Sequence, residues 1–339
     1  PIDVVAGKPK TGVNAALETG AEISGRVQDG NGKAVAARVT LYQSEQYDDW
    51  TGWNWVDDVA TDAKGAFAFV GLGAGEYTLR TEVEGGGYAP EWWNDAAVES
   101  AASSIVLAAQ QSVTGRVVTL ARGASLSGTV RDAKGKPLAL ARVSVIARDG
   151  NSTFTVGDAE TGSDGGWKIN ALPAGNYTLR VDGPDDGGFV PQFWKDKLDE
   201  QDADRITLTA GQARTGLDAA LRLGGSVAGT VTDAKGTAVR EANVTLYKRQ
   251  STWWSWFAGA STDKAGRYSF SSLPPGRYTV GFEGPSDGVL LSEWWKDTTS
   301  LDTATGFEIA AGTKVSKIDA RLAAGAVLGG RVTDAKGAP

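Results

Sequence analysis

Histidine, cysteine and methionine are all absent from the 339 residues of this chain. Their absence removes Ser-His and Cys-His nucleophile systems, and with them any imidazole or thiolate metal site. Carboxylates remain for acid–base work, and paired carboxylates are the apparatus of glycoside hydrolysis. The best placed is Glu91, beside Trp92 and Trp93, with Gln192 and Glu293 at the corresponding positions further on. A general acid could thus serve in two of three places, but no partner carboxylate tracks with it. Glu91 reads as the rim of a surface hairpin. Asp182, Asp185 and Asp186 crowd one loop without the alternating Asp/Asn spacing of a calcium loop, and read as a turn. No catalytic residue, metal site or cofactor is expected, and any catalytic domain would lie outside this segment.

Tryptophan is the side chain that rises above background, with 12 in the chain. One set recurs throughout, as Trp92-Trp93, Phe193-Trp194 and Trp294-Trp295. Neighbouring residues on a strand face opposite ways, so one of each pair can be buried easily. The other set does not recur everywhere. Trp50, Trp53 and Trp55 have counterparts in Trp253, Trp254, Trp256 and Phe257, whereas the intervening stretch offers Phe154 alone. Rings needed for a core would be present in every copy, so this set points to the surface, where aromatic clusters mark interaction sites. Three uses stand open: packing within or between copies, stacking on the apolar faces of sugar rings, and a protein interface. The candidate ligand-binding residues are Trp50, Trp53, Trp55, Trp253, Trp254, Trp256 and Phe257, with Trp93 and Trp295.

These comparisons rest on an internal repeat. The marker glycines Gly25, Gly128, Gly229 and Gly330 recur about every 101 residues, as do Leu72-x-x-Gly75-x-Tyr77, Leu172-x-x-Gly175-x-Tyr177 and Leu273-x-x-Gly276-x-Tyr278. That period is too long for a solenoid unit and suits an independent domain. The expected division is a tail of a preceding repeat in 1–20, repeats in 21–123, 124–224 and 225–325, and the start of another in 326–339. With Pro1 in place of Met, the sequence is read as a piece of a longer array.

Within a repeat the apolar period is two. Ala37, Val39 and Leu41 alternate with Arg38, Thr40 and Tyr42, and the same pattern returns at Ala141, Val143, Val145 and at Ala242, Val244, Leu246. Alternation of this kind with β-branched and aromatic enrichment marks half-buried strands. Turn phrases separate them, such as Asp62-Ala-Lys-Gly65, Asp132-Ala-Lys-Gly135 and Asp233-Ala-Lys-Gly236. The expected fold is all-β: tandem seven-stranded antiparallel β-sandwiches, prealbumin-like or Ig-like, arranged as a rod. The rod follows from the joints. Leu17 to Ile23, Leu120 to Leu126, Leu221 to Val227 and Leu322 to Leu328 are equal short steps holding Gly20, Gly123, Gly224 and Gly325. A flexible tether would be longer and variable.

The phrases GTVTDAKGTAVREANV (229–244) and LPPGRYTV (273–280) carry a resemblance to the carboxypeptidase regulatory-like domain, across all three repeats. That family has the prealbumin-like sandwich and is similar to the Cna B-type domains of Gram-positive adhesins. Some Cna B-type domains hold a Lys–Asn isopeptide bond. Here the first strands carry Arg26, Thr129 and Thr230, and the last strands Val117, Asp218 and Asp319 after Asn14 in the tail, so no cross-link is expected.

Net charge is 34 − 41 = −7 without long blocks, against the basic stripe of nucleic-acid binding. No apolar run is long enough to span a membrane. The reading is a non-catalytic structural stalk or adhesion array of an extracellular bacterial surface protein, secreted or attached to a Gram-positive cell. Alternatives are carbohydrate-binding accessory modules of a secreted, amylase-like glycoside hydrolase, or the subunit of an extracellular filament. Expected partners are neighbouring repeats, with glycan or another surface protein as further possibilities.

Overall fold

The computed structural model describes residues 8–11, 19–46, 51–150, 152–285, 290–326, 331 and 334. Expectations resting on Asn14, Leu17, Trp50, Leu328 and Gly330, and on most of 1–20 and 326–339, lie outside the described residues. Among the described residues every regular element of more than three residues is a strand. The first unit comprises β1 (Ala21–Asp29), β2 (Arg38–Gln46), β3 (Thr51–Ala60), β4 (Ala66–Leu72), β5 (Gly75–Glu82), β6 (Glu91–Trp92), β7 (Ile105–Leu107) and β8 (Ser112–Leu120). Its two sheets are ordered β4-β1-β8 and β3-β2-β5-β6, with β7 also on β5. Ala21, Ile23 and Val27 of β1 face Val39 and Leu41 of β2 and Tyr77 and Leu79 of β5 across the core, as the period-two alternation requires.

The same order runs from Ala124–Asp132 to Ala219–Leu221, and again from Gly225–Asp233 to Ala320–Leu322. Each run has a separate core cluster. Tyr77, Tyr177 and Tyr278 are buried at equivalent places. Their hydroxyls donate to the Gly73, Pro173 and Pro274 carbonyls at 3.0, 2.9 and 2.7 Å, closing the turn that precedes each ring.

Two features go beyond the sequence reading. The insertion that carries Trp53 and Trp55 is strand β3, paired antiparallel with β2 from Arg38 opposite Ala60 to Gln46 opposite Thr51. The sandwich is also not antiparallel throughout. β1 and β8 run parallel, Glu22 opposite Ser112 and Asp29 opposite Leu120, and the later units pair their first and last strands likewise. Apolar alternation reports faces and is blind to strand direction, which is why the sequence could not supply this. The parallel pair makes the chain enter a unit at one end and leave it at the other.

That pairing also explains the marker glycines. A Cβ on Gly25, Gly128 or Gly229 would lie 2.0, 2.1 or 2.0 Å from the carbonyl oxygen of Arg116, Leu217 or Ile318. The backbone of the last strand passes too close to admit a side chain.

Candidate functional site

The positions weighed for a covalent cross-link do face one another. Arg26 is opposite Val117. The Thr129 hydroxyl donates to Asp218 Oδ1 at 2.9 Å, and Thr230 to Asp319 Oδ1 at 2.9 Å. A hydrogen bond thus joins the two positions in the second and third units, while in the first they are ladder neighbours.

Glu91 has a carboxylate companion, which corrects the sequence reading. Burial and the neighbouring Asp95 push the Glu91 carboxyl up to about 7. Asp95 sits in a tight turn with Asn94, both at positive φ, and Lys195-Asp196 and Lys296-Asp297 repeat that conformation. In the second unit Gln192 Nε2 donates to Asp196 Oδ1 at 3.1 Å. In the third, burial, with Asp297 adding, raises the Glu293 carboxyl, while the Arg321 N–H that donates to it works the other way. The same two positions therefore recur in every unit, as two carboxyl groups that repel when ionised in the first and third and as a hydrogen-bonded amide and carboxylate in the second. In the calcium-like loop Asp182 is paired with Arg180 at 2.9 Å. Among the described residues no group of three or more carboxylates is arranged to hold a metal ion.

The rings sort by face. Trp93 and Trp295 turn inward: Trp93 packs on the first core beneath the Arg116 guanidinium at 5.6 Å, and Trp295 on the third, edge-on to Phe307 at 5.1 Å. Phe257 also leans on its core, edge-on to Tyr278 at 5.6 Å. Trp55, Trp253 and Trp256 stand in solvent at 61, 58 and 66% exposure. Trp53 and Trp254 are half-buried, Trp254 beneath the Arg249 guanidinium at 5.1 Å.

The outward members of the recurrent pairs, Trp92 and Trp294, are half-buried and adjoin the exposed set. Trp92 lies 4.9 Å from Tyr42, whose strand neighbour is Trp55. Trp294 lies 4.9 Å from Tyr247, whose strand neighbour is Trp256, and its ring covers Gly281, where a Cβ would meet it at 2.8 Å. An aromatic row thus crosses the outer face of the four-stranded sheet in the first and third units. The second unit has Thr155, Ile146 and Phe193 at these places. Tyr42, Tyr247, Trp92 and Trp294 were missed by the sequence reading. The signal that could have found them is the Tyr-to-Ile change that accompanies the loss of the tryptophans.

The joints form the second site. Residues 121–123 link β8 to the next unit, and the loop 83–90 grips them. Tyr88 and Arg122 make an antiparallel bridge, the Ala89 N–H donates to Ala121 O at 2.9 Å, and the Gly123 N–H donates to Gly87 O at 3.2 Å. From the following unit, the Gly211 N–H donates to Arg122 O at 2.8 Å. The next joint repeats the grip, with Phe189 bridging Leu223, Val190 N–H to Arg222 O at 2.9 Å and Gly224 N–H to Gly188 O at 2.8 Å. In the third, Leu290 bridges Ala324 and the Leu291 N–H donates to Ala323 O at 2.8 Å.

The joint glycines do not act as swivels. A Cβ on Gly20, Gly123 or Gly224 would fall 2.3, 2.5 or 2.5 Å from backbone atoms of Gly71, Ala171 or Ser272. Those three partners hold φ of 75, 58 and 56°, turning their backbones toward the joint. Side chains vary around this constant frame. At the first joint Arg122 stacks on the Tyr88 ring at 4.6 Å, and the Tyr88 hydroxyl donates to Asp29 at 3.4 Å.

Three successive pairs of facing sheets, each round its own core, define a tandem prealbumin-like β-sandwich protein. Residues 125–222 and 226–287 match the carboxypeptidase regulatory-like domain family, and those two segments are domains of that family. Comparison with curated proteins found no match. Among solved structures, the chain is similar to the Bacillus anthracis TIE protein at 17% identity and a TM-score of 0.26, over 90% of this chain and 51% of that one. It thus spans about half the length of that protein. A streptococcal ancillary pilin is similar at 14% identity and a TM-score of 0.31, over 90% of this chain and 98% of that one. BcpA, the major pilin subunit of Bacillus cereus, is similar at 13% identity and a TM-score of 0.21, over 90% and 99%. Among the described residues no helix is long and apolar enough to cross a membrane.

Proposed function

We propose that the chain is a non-catalytic, semi-rigid spacer of an extracellular bacterial surface protein, its repeats divided at 20/21, 123/124, 224/225 and 325/326. The observation that carries this reading is the joint. At the first two joints the backbones of two joint residues, Ala121 and Gly123, then Arg222 and Gly224, are hydrogen-bonded to the unit before, and the glycine is closed in by the unit after. The parallel first and last strands support it by setting entrance and exit at opposite ends. Each unit then advances the chain by about nine residues of strand at about 3.3 Å each, plus the joint. Three units give a length on the order of 100 Å. A chain of 339 residues without a thiol suits an oxidising exterior, and the resemblance to surface-protein modules agrees. Small-angle scattering of the whole chain tests the proposal. A rod-like distance distribution ending near the expected length supports it. A compact globule, or the broad distribution of swivelling units, overturns it.

A further inference from the structure

The outer aromatic face of the first unit does not look into open solvent alone. It forms one wall of a cleft of about 960 Å³, whose other wall belongs to the second unit. Trp53, Trp92, Arg80 and Glu99 line the near side, and Phe154 and Ser152 the far side. Phe154 and Ser152 lie at the start of strand Ser152–Glu160, in the hairpin that corresponds to β2–β3. The next joint draws the same two elements together, because Asp199 of the second unit is close enough to act on the Lys248 ammonium of the third unit's hairpin. The hairpins of the second and third units thus reach back toward the unit before, and the joint fixes the width of the cleft.

We infer that this cleft binds a neutral polysaccharide chain, held by both units at once. Aromatic faces on both walls can stack on the C–H faces of pyranose rings, as expected of half-desolvated rings in a groove. Between the rings stand groups that suit the hydroxyl rim of a sugar: Arg80 as donor, Glu99 as acceptor and Ser152 as both. Glu76, Glu99 and Arg80 together leave a net charge of −1 on the lining, which disfavours phosphorylated or acidic polymers. Phe154 leans on the second core and Trp92 on Tyr42, but local packing does not account for the outermost rings of the row. Trp55 shares this face and is 61% exposed, and the equivalent Trp256 is 66% exposed, so they stabilise neither their own core nor a neighbour. In the third unit the same row, Trp256, Tyr247 and Trp294, repeats the platform two repeats along.

Affinity electrophoresis of the whole chain through gels containing amylopectin, xylan, mixed-linkage β-glucan or, as an acidic control, polygalacturonate tests this. Retardation in at least one neutral gel and none in polygalacturonate is expected. Trp92→Ala and Trp53→Ala should each weaken binding about tenfold or more, as for central aromatic anchors. Phe154→Ser on the opposite wall should also weaken it, with some loss of melting temperature because Phe154 leans on the second core, whereas both tryptophan variants should melt within a degree or two of the parent. Should Trp92→Ala unfold the hairpin, Trp92→Phe, which keeps a smaller ring, should retain part of the binding. Free mobility in every neutral gel overturns the inference. So does retardation that survives both tryptophan variants, or self-association in sedimentation that Trp92→Ala abolishes. Scattering of Trp92→Ala should match the parent, which separates failure here from failure of the rod.

Discussion

At the scale of single residues, Glu91 makes the sharpest expectation. Its carboxyl is raised from 4.5 to about 7 by burial and by Asp95, so the folded chain holds a proton there that the unfolded chain releases. A folded-state value above the unfolded one means that stability falls as pH rises from about 4.5 to about 7, and levels off above. Gln192 already occupies the equivalent place and donates to Asp196. Glu91→Gln should therefore stabilise the first unit by about 1–2 kcal/mol at pH 8 and by almost nothing at pH 4. Thermal melts across that range measure the difference, and a gain independent of pH would contradict the assignment. The sequence displayed Glu91, Gln192 and Glu293 but hid Asp95, because the tight turn at positive φ that brings Asp95 close leaves no mark in composition. The tryptophan pairs show the same limit. Two adjacent rings must face opposite ways, yet which one is outward depends on the pairing of β6 with β5: Trp93 packs on the core, while Trp92, also half-buried, lies against Tyr42.

At the scale of elements, strands and turns were largely legible, because alternation and Asp-x-x-Gly phrases are local signals. The Gly65 N–H donates to Asp62 O at 2.9 Å, and the turns at Asp132, Asp233 and Asp263 do the same at 2.9 Å each. Direction and pairing were not legible. Nothing in 51–60 announces a strand on the edge of β2, since tryptophan-rich strands and loops look alike in sequence. The joint was half legible: equal spacing implied equal geometry, but the gripping loop and the crowded glycine arise from backbone contacts that leave no mark in sequence. A test follows at this scale. Gly123→Ala and Gly224→Ala place a methyl group against the backbone of Ala171 and Ser272, which cannot give way cheaply. Each should loosen its joint while leaving the sandwiches intact. The expected result is a broader scattering distance distribution and faster amide exchange at Ala89 or Val190, with the main melting transition little changed.

At the scale of the whole molecule, the repeat period was plain from three sets of markers, and the match of 125–222 and 226–287 to one family agrees with it. How the units meet was open, because inter-unit contact depends on side chains that differ between joints. Tyr88 with Arg122, Phe189 with Leu223, and Leu290 with Ala324 hold the same bridge position with unlike side chains, and the first pair adds a cation–π contact. The backbone hydrogen bonds are the constant element, and backbone leaves no sequence signature. Such a joint tolerates drift in its side chains while keeping its angle, so arrays of different length could be assembled from the same piece.

The parallel pairing of β1 with β8 has a consequence when the two ends of the chain are pulled apart. Tension enters a unit at the start of β1 and leaves at the end of β8, drawing the two neighbours in opposite directions along their length. The ladder from Glu22–Ser112 to Asp29–Leu120 is then loaded in shear, its bonds sharing the force together instead of opening one by one. Force at rupture is set by the unfolding rate and not by equilibrium stability. Pulling the chain in a force microscope should give discrete steps, each releasing a contour length of about 300 Å for some 100 residues. Arg116→Pro removes a donor from the sheared strand and should lower the rupture force of the first unit alone. Smooth extension without steps would show that the strands peel apart.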